Sequence, residues 1–97
     1  MSGFWRGKKV VVTGGAGFIG SYVAEQLLQA GAEIRVADFV SDDAPPNLAH
    51  ILADIELVRT DLTYLDGARA ACRGQEIIMN LAARTGSIKY NLDHPAA

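Results

Sequence analysis

Cysteine is almost absent from this chain. Cys72 stands alone among 97 residues, so no internal disulfide can form and nothing calls for an oxidising compartment. A charge surplus of either sign is also lacking. Nine Lys and Arg against eleven Asp and Glu leave a net charge of -2, and the basic residues are scattered apart from Lys8-Lys9. That is not the electrostatic footprint of a DNA- or RNA-binding protein, so no nucleic-acid partner is expected. There is no long apolar run. Val10 to Val12 breaks off at Thr13-Gly14-Gly15, whereas a signal peptide needs about 7–15 apolar residues and a membrane helix about 20. No membrane partner is expected, and a cytoplasmic location follows by default. His50 and His94 have no Cys or acidic set at ligand spacing, so the expectation is surface or capping histidines and no metal. The length permits one domain with a modest core, and 49% hydrophobic against 21% charged residues is a globular composition.

What is present is an alternation of two periods. Lys9 to Thr13 reads as a short β-branched strand, apolar enough to be buried on both faces. From Phe18 the spacing changes. Ile19, Val23 and Leu27 lie four apart, with Ala24 and Leu28 widening the stripe, which predicts a helix with one apolar face stopped by Gly31. Glu33 to Ala37 alternates as a second strand closed by Asp38. "SDDAPPN" reads as a loop, with Asp42-Asp43 solvated and Pro45-Pro46 breaking any preceding helix. A short helix is expected from about Asn47 to Ala53. A third strand, Glu56 to Thr60, follows. The next helix runs from about Thr63 to Arg73, with Leu65, Ala68, Ala71 and Cys72 on one face. Gln75 to Leu81 is a fourth strand, and Asp93 or His94 before Pro95 could open another helix. Phe4 and Trp5 are expected to cover the near end of the sheet. Strands alternating with helical segments imply a parallel sheet with right-handed crossovers.

The first turn, Gly14-Gly15-Ala16-Gly17-Phe18-Ile19-Gly20, holds glycine in two overlapping frames: G-x-G-x-x-G from Gly15, and G-x-x-G-x-x-G from Gly14. Such a turn lets backbone approach a pyrophosphate and lets the helix pack close to the sheet. The free N–H groups and dipole at the helix start then favour negative charge. Asp38 lies at the end of the second strand, near the expected spacing of about 20 residues. Its carboxylate can accept from ribose hydroxyls and repels a 2′-phosphate. Phe39 and Val40 follow it, so no adjacent cation is offered to that phosphate, and NAD is favoured over NADP. A P-loop is excluded, because Gly20-Ser21 has no lysine between. The plain alternative is a tight turn beside an ordinary strand-end aspartate.

"TGGAGFIG" resembles the T-G-x-x-G-x-x-G fingerprint of the extended short-chain dehydrogenase/reductases, and within them the NAD-dependent epimerase/dehydratases acting on nucleotide sugars. Asp38 matches the acid that holds the adenosine ribose, Asp61-Leu62 the pair that brackets the adenine, and Asn80 to Ala83 the segment along the cofactor. Asn80 stands where histidine is common. The resemblance implies an α/β fold: a Rossmann-like parallel sheet with helices on both faces, strand order 3-2-1-4, first half only. It implies NAD held by Gly14, Gly15, Gly17, Phe18, Ile19, Asp38, Phe39, Asp61, Leu62, Leu81, Ala82 and Ala83. Asp61 reads equally well as a helix N-cap. Thr85, Gly86 and Ser87 would lie near a sugar substrate, or form an ordinary polar loop.

The family's catalytic pair is Tyr-x-x-x-Lys, with tyrosine as acid or base and lysine lowering its pKa. Here Tyr22, Tyr64 and Tyr90 are followed four residues later by Gln26, Ala68 and His94. The expectation is therefore an N-terminal cofactor half-domain over 1–97, inactive alone, without catalytic residues of its own. In the enzyme a sugar hydroxyl would be oxidised by transient hydride transfer to NAD. A non-catalytic dinucleotide sensor or scaffold is the alternative. With no fifth strand beside it, the isoleucine-rich fourth strand would be an open edge. A homodimer or self-association is expected; a stable monomer in sedimentation would contradict this.

Overall fold

The computed structural model describes residues 3–40 and 45–81. In chain order these form β1 (Lys9–Thr13), α1 (Phe18–Gln29), β2 (Glu33–Asp38), two 3-10 turns (Pro46–Leu48 and Leu52–Asp54), β3 (Glu56–Arg59), α2 (Leu65–Cys72) and β4 (Ile77–Asn80). The four strands make one parallel sheet in the order β3-β2-β1-β4, the Rossmann-like arrangement expected.

β1 is central because it can be buried on both sides. Val10, Val11 and Val12 are all fully buried, and complete burial of each such side chain stabilises by about 1.5–3 kcal/mol. The register decides which face each residue serves. Val10 pairs with Ile34 and Ile77, and Val12 with Val36 and Met79. These residues cluster with Ala24 and Leu27 of α1 and with Leu48 and Ile51. Val11 and Ala37 point the other way and meet Ala71 of α2, with Val58 and Leu62 packed alongside. Helices therefore cover both faces.

α1 ends as its glycine predicts. Gly31 has φ +99°, Gly31 N–H donates to Leu28 and Ala32 N–H to Leu27, the paired bonds of a Schellman stop. At its other end the expected stripe is corrected. Ile19 is exposed, while Gly20 and Ser21 are the buried residues of the first turn. Here the helix lies so near the glycine turn that no side chain fits between, so Ile19 projects beyond the sheet.

The helix expected near Asn47 is instead the two 3-10 turns. At three residues per turn, positions three apart share a side, and this brings Leu48 and Ile51 together into the α1-side core. α2 starts two residues later than expected. Thr63 donates from both N–H (3.0 Å) and Oγ1 (2.6 Å) to Asp61 Oδ1, so residues 61–64 make a turn before the helix begins. Within α2, Ala71 is buried and Cys72 half-buried, but Leu65 faces outward. A Cβ on Gly67 would overlap Asp61 O and lie 2.6 Å from Thr60 Oγ1, so this helix sits tightly over the end of β3. Its far end is closed by a strand residue. Arg35 Nη1 donates to Ala71 O (3.0 Å) and Arg73 O (2.7 Å), and Nε to Glu56 Oε1 (2.9 Å). A cation among the last carbonyls both satisfies them and complements the helix dipole.

β4 is shorter than expected, although Glu76 N–H to Lys9 O and Leu81 N–H to Thr13 O extend its bonding by one residue at each end. It is a sheet edge among the described residues, with Ile78 exposed. Trp5 packs against the core, whereas Phe4 stays outside and meets it edge to face at 5.0 Å. The expected loop residues Asp42-Asp43 and the helix at Asp93 or His94 lie outside the described residues. No helix among the described residues is long and apolar enough to cross a membrane.

Candidate functional site

Four residues separate the end of β1 from the start of α1, and the reversal demands glycine for different reasons at different positions. Gly14 has φ +76°, a conformation that L side chains avoid. Its N–H donates to Ala37 O at 2.8 Å, anchoring the turn on β2. A Cβ on Gly15 would lie 2.8 Å from Val36 Cγ1 and 3.1 Å from Val12 O; one on Gly20 would overlap Gly14 O and lie 2.8 Å from Gly15 Cα. Gly17 is different. Its φ is -76°, and an added Cβ would meet only Gly14 O, at 3.5 Å. The fold thus requires glycine at 14, 15 and 20. At 17 the chain itself has room for a side chain, and the open space there lies on the outside.

Gly17 is the N-cap of α1. No side chain caps this end and its first turn holds no acid. The first N–H groups of an α-helix have no intrahelical partner and carry the positive end of its dipole. Here they face a cleft of about 570 Å³ lined by Gly14, Gly17, Phe18, Ile19, Gly20, Asp38 and Leu81. The cleft lies beyond the carboxyl ends of β1, β2 and β4, at the point where the strand order reverses, between β1 and β4. That is the place where open parallel sheets take ligands. A second cavity of about 450 Å³ is at the opposite end of the strands, lined in part by Lys9, Glu33, Arg35, Glu56 and Gln75. The Arg35–Glu56 ion pair spans it, so its charges already have a structural use.

Asp38 joins β2 to the turn. Its Oδ2 accepts from Ala16 N–H at 2.9 Å and Oδ1 from Phe39 N–H at 2.8 Å. Asn47 reaches the same residue from the other side, with Nδ2 donating to Ala16 O at 3.1 Å. Thr13 Oγ1 donates to Asn80 Oδ1 at 2.6 Å, tying the carboxyl ends of β1 and β4.

Of the residues singled out from sequence, Gly14, Gly17, Phe18, Ile19, Asp38 and Leu81 line one cleft. Gly15 lies beneath it against Val36. Phe39, next to Asp38, is exposed but is not part of the lining. Asp61 takes the capping geometry, though for the turn at 61–64 and not for the helix itself. Leu62 packs in the α2-side cluster. Ala82, Ala83, Thr85, Gly86 and Ser87 lie outside the described residues. His50, expected at the surface, bonds Glu25 Oε1 at 2.8 Å. The residue that sequence reasoning missed is Asn47. Its only local signal was its position after Pro45-Pro46, which reads as a breaker and not as a support.

Comparison with known proteins gives the family. The chain is 39% identical over 87 residues to dTDP-L-rhamnose 4-epimerase of Burkholderia thailandensis, covering 84% of this chain and 24% of that protein. It is 38% identical over 74 residues to 3 beta-hydroxysteroid dehydrogenase/Delta 5-->4-isomerase of vaccinia virus, covering 74% of this chain and 21% of that one. A mutant uronate dehydrogenase from Agrobacterium tumefaciens, solved in complex with NAD, superposes with a TM-score of 0.63 at 29% identity, over 80% of this chain and 27% of its own. The chain therefore spans about a quarter of the length of these relatives. Residues 10–97 match the NAD dependent epimerase/dehydratase family, and the chain belongs to that family.

Proposed function

We propose that this chain is the NAD-binding portion of an epimerase/dehydratase that acts on a nucleotide sugar. The observation that carries the reading is the pairing of an uncapped helix start with Asp38, both on the same cleft at the sheet's switch point. The residues fit a dinucleotide. Gly17 leaves its outer side open, the first-turn N–H groups of Phe18 and Ile19 favour the pyrophosphate, and Asp38 offers the ribose a carboxylate already oriented by Ala16 and Phe39. In this reading Gly14, Gly15, Gly17, Phe18 and Ile19 cradle the pyrophosphate. Asp38 and Phe39 border the ribose, and Asp61 and Leu62 the adenine. Leu81, Ala82 and Ala83 follow the rest, with Thr85, Gly86 and Ser87 toward the sugar. When bound, NAD supplies the hydride acceptor for a sugar hydroxyl. This chain's own residues bind and orient, and none of its tyrosines has the lysine partner that proton transfer would need. The 97 residues alone are expected to bind NAD without turning over substrate. The sugar class is supported by the Burkholderia relative, which is named as an epimerase of a dTDP sugar.

A titration with NAD and NADP tests the reading. The wild-type chain is expected to prefer NAD. Asp38→Asn should narrow that preference to near parity, because the amide keeps an acceptor for Ala16 N–H but loses the charge that repels a 2′-phosphate. A hydrogen bond to a charged group contributes about 1.5–3 kcal/mol, so NAD binding itself should weaken about tenfold or more. Equal binding of both dinucleotides by wild type would remove Asp38 from this role.

A further inference from the structure

We infer that Asn47 is a positioning residue for the glycine turn, acting on the dinucleotide through the Ala16 peptide groups. The inference rests on the reading of the cleft as a dinucleotide site. Ala16 is the only non-glycine residue between β1 and the helix cap, and it is nearly buried. Both of its backbone polar groups are held by side chains from elsewhere in the chain. Its N–H goes to Asp38 at 2.9 Å, and its C=O receives Asn47 Nδ2 at 3.1 Å. The next peptide N–H, of Gly17, goes to Gly14 O at 3.2 Å. The peptide plane entering α1 is thus fixed from both sides. The Ala16 carbonyl dipole is turned onto Asn47, which is not part of the cleft lining, so that carbonyl does not oppose an anion at the uncapped N–H groups of the first helical turn.

Asn47 can do this because its own backbone is held. Pro45 is buried on one side of it and Leu48 fully buried on the other. Leu48 N–H donates to Pro45 O at 3.0 Å, and Pro46 sets the dihedral that opens the 3-10 turn. The two prolines therefore stiffen the support of a side chain aimed at the turn. The chemistry is specific to an amide donor at this length. Alanine removes the donor, and aspartate replaces it with a charge facing a carbonyl oxygen.

The test follows NAD and adenosine binding by amide NMR on the full chain, for wild type, Asn47→Ala and Asn47→Asp. Loss of one neutral hydrogen bond should weaken NAD about three- to tenfold, and Asn47→Asp should weaken it further. Adenosine, which lacks the pyrophosphate, should bind all of them alike, and exchange of the Gly17 amide, in the same peptide unit as the Ala16 carbonyl, should quicken in both variants. Unchanged NAD affinity in Asn47→Ala overturns the inference. So does an equal loss for NAD and adenosine, which marks a general scaffold role. If the wild-type chain binds no NAD, the cofactor reading fails separately. Gly17 exchange then decides for Asn47: faster exchange supports its hold on the turn, and unchanged exchange overturns it.

Discussion

Leu48→Ala is expected to remove a large part of the stability of this chain. Leu48 is fully buried and sits in the α1-side core, yet it comes from a three-residue 3-10 turn and not from a strand or helix. Truncating a buried leucine costs about 2–5 kcal/mol, depending on how far the surroundings collapse into the gap. A domain of this size is stable by only about 5–15 kcal/mol in total. The site has little room to relax, since Val10, Val12 and Val36 beside it are fully buried. The denaturation midpoint of Leu48→Ala should therefore fall well below that of wild type. Leu48→Met, close in volume, should lose less than about 1.5 kcal/mol. Equal midpoints for wild type and Leu48→Ala would mean that the segment at 45–54 does not pack as described.

The second large effect is expected at Gly20. A methyl group there overlaps Gly14 O and comes within 2.8 Å of Gly15 Cα and 2.9 Å of Gly14 C. All three are backbone atoms, and backbone cannot rotate away as a side chain can. Overpacking of this kind costs about 3 kcal/mol at the upper end of its usual range, and alanine's better helix propensity returns about 1 kcal/mol. The net loss of about 2 kcal/mol should lower the thermal midpoint by roughly 10 °C in a chain of this length. Gly17→Ala is the internal control. Its methyl meets only an ordinary contact at 3.5 Å, so its midpoint should stay near wild type while NAD affinity falls. If Gly20→Ala melts with wild type, α1 does not approach the turn this closely. If Gly17→Ala binds NAD normally, the outer side of the turn is not where the pyrophosphate lies.

The same distinction shows what could be read from the chain alone. The seven-residue glycine turn, the strand before it and Asp38 after the second strand were legible because each is a local pattern. The strand order was also legible, since short alternating β and α segments leave few ways to cross over. The pattern could not say why each glycine is there. G-x-x-G-x-x-G looks uniform on paper, but Gly14 answers a dihedral, Gly15 and Gly20 answer the proximity of other backbone and of Val36, and Gly17 answers neither. Spacing from Val23 places Ile19 in the buried stripe. It is exposed because Gly20 draws the helix against the turn.

What the sequence by itself determined is the order of elements, the central burial of Val10 to Val12, and the place of the cleft, because these follow from hydrophobic period and from residues that only certain backbones tolerate. What only the tertiary structure decided are contacts between segments distant in the chain: Asn47 on Ala16, Arg35 on the end of α2, Thr13 on Asn80, and Leu48 with Ile51 in the core. No local period encodes them. A polar side chain's partner is set by which backbone groups the packed helices and strands leave unsatisfied, and that is settled only once those elements have met.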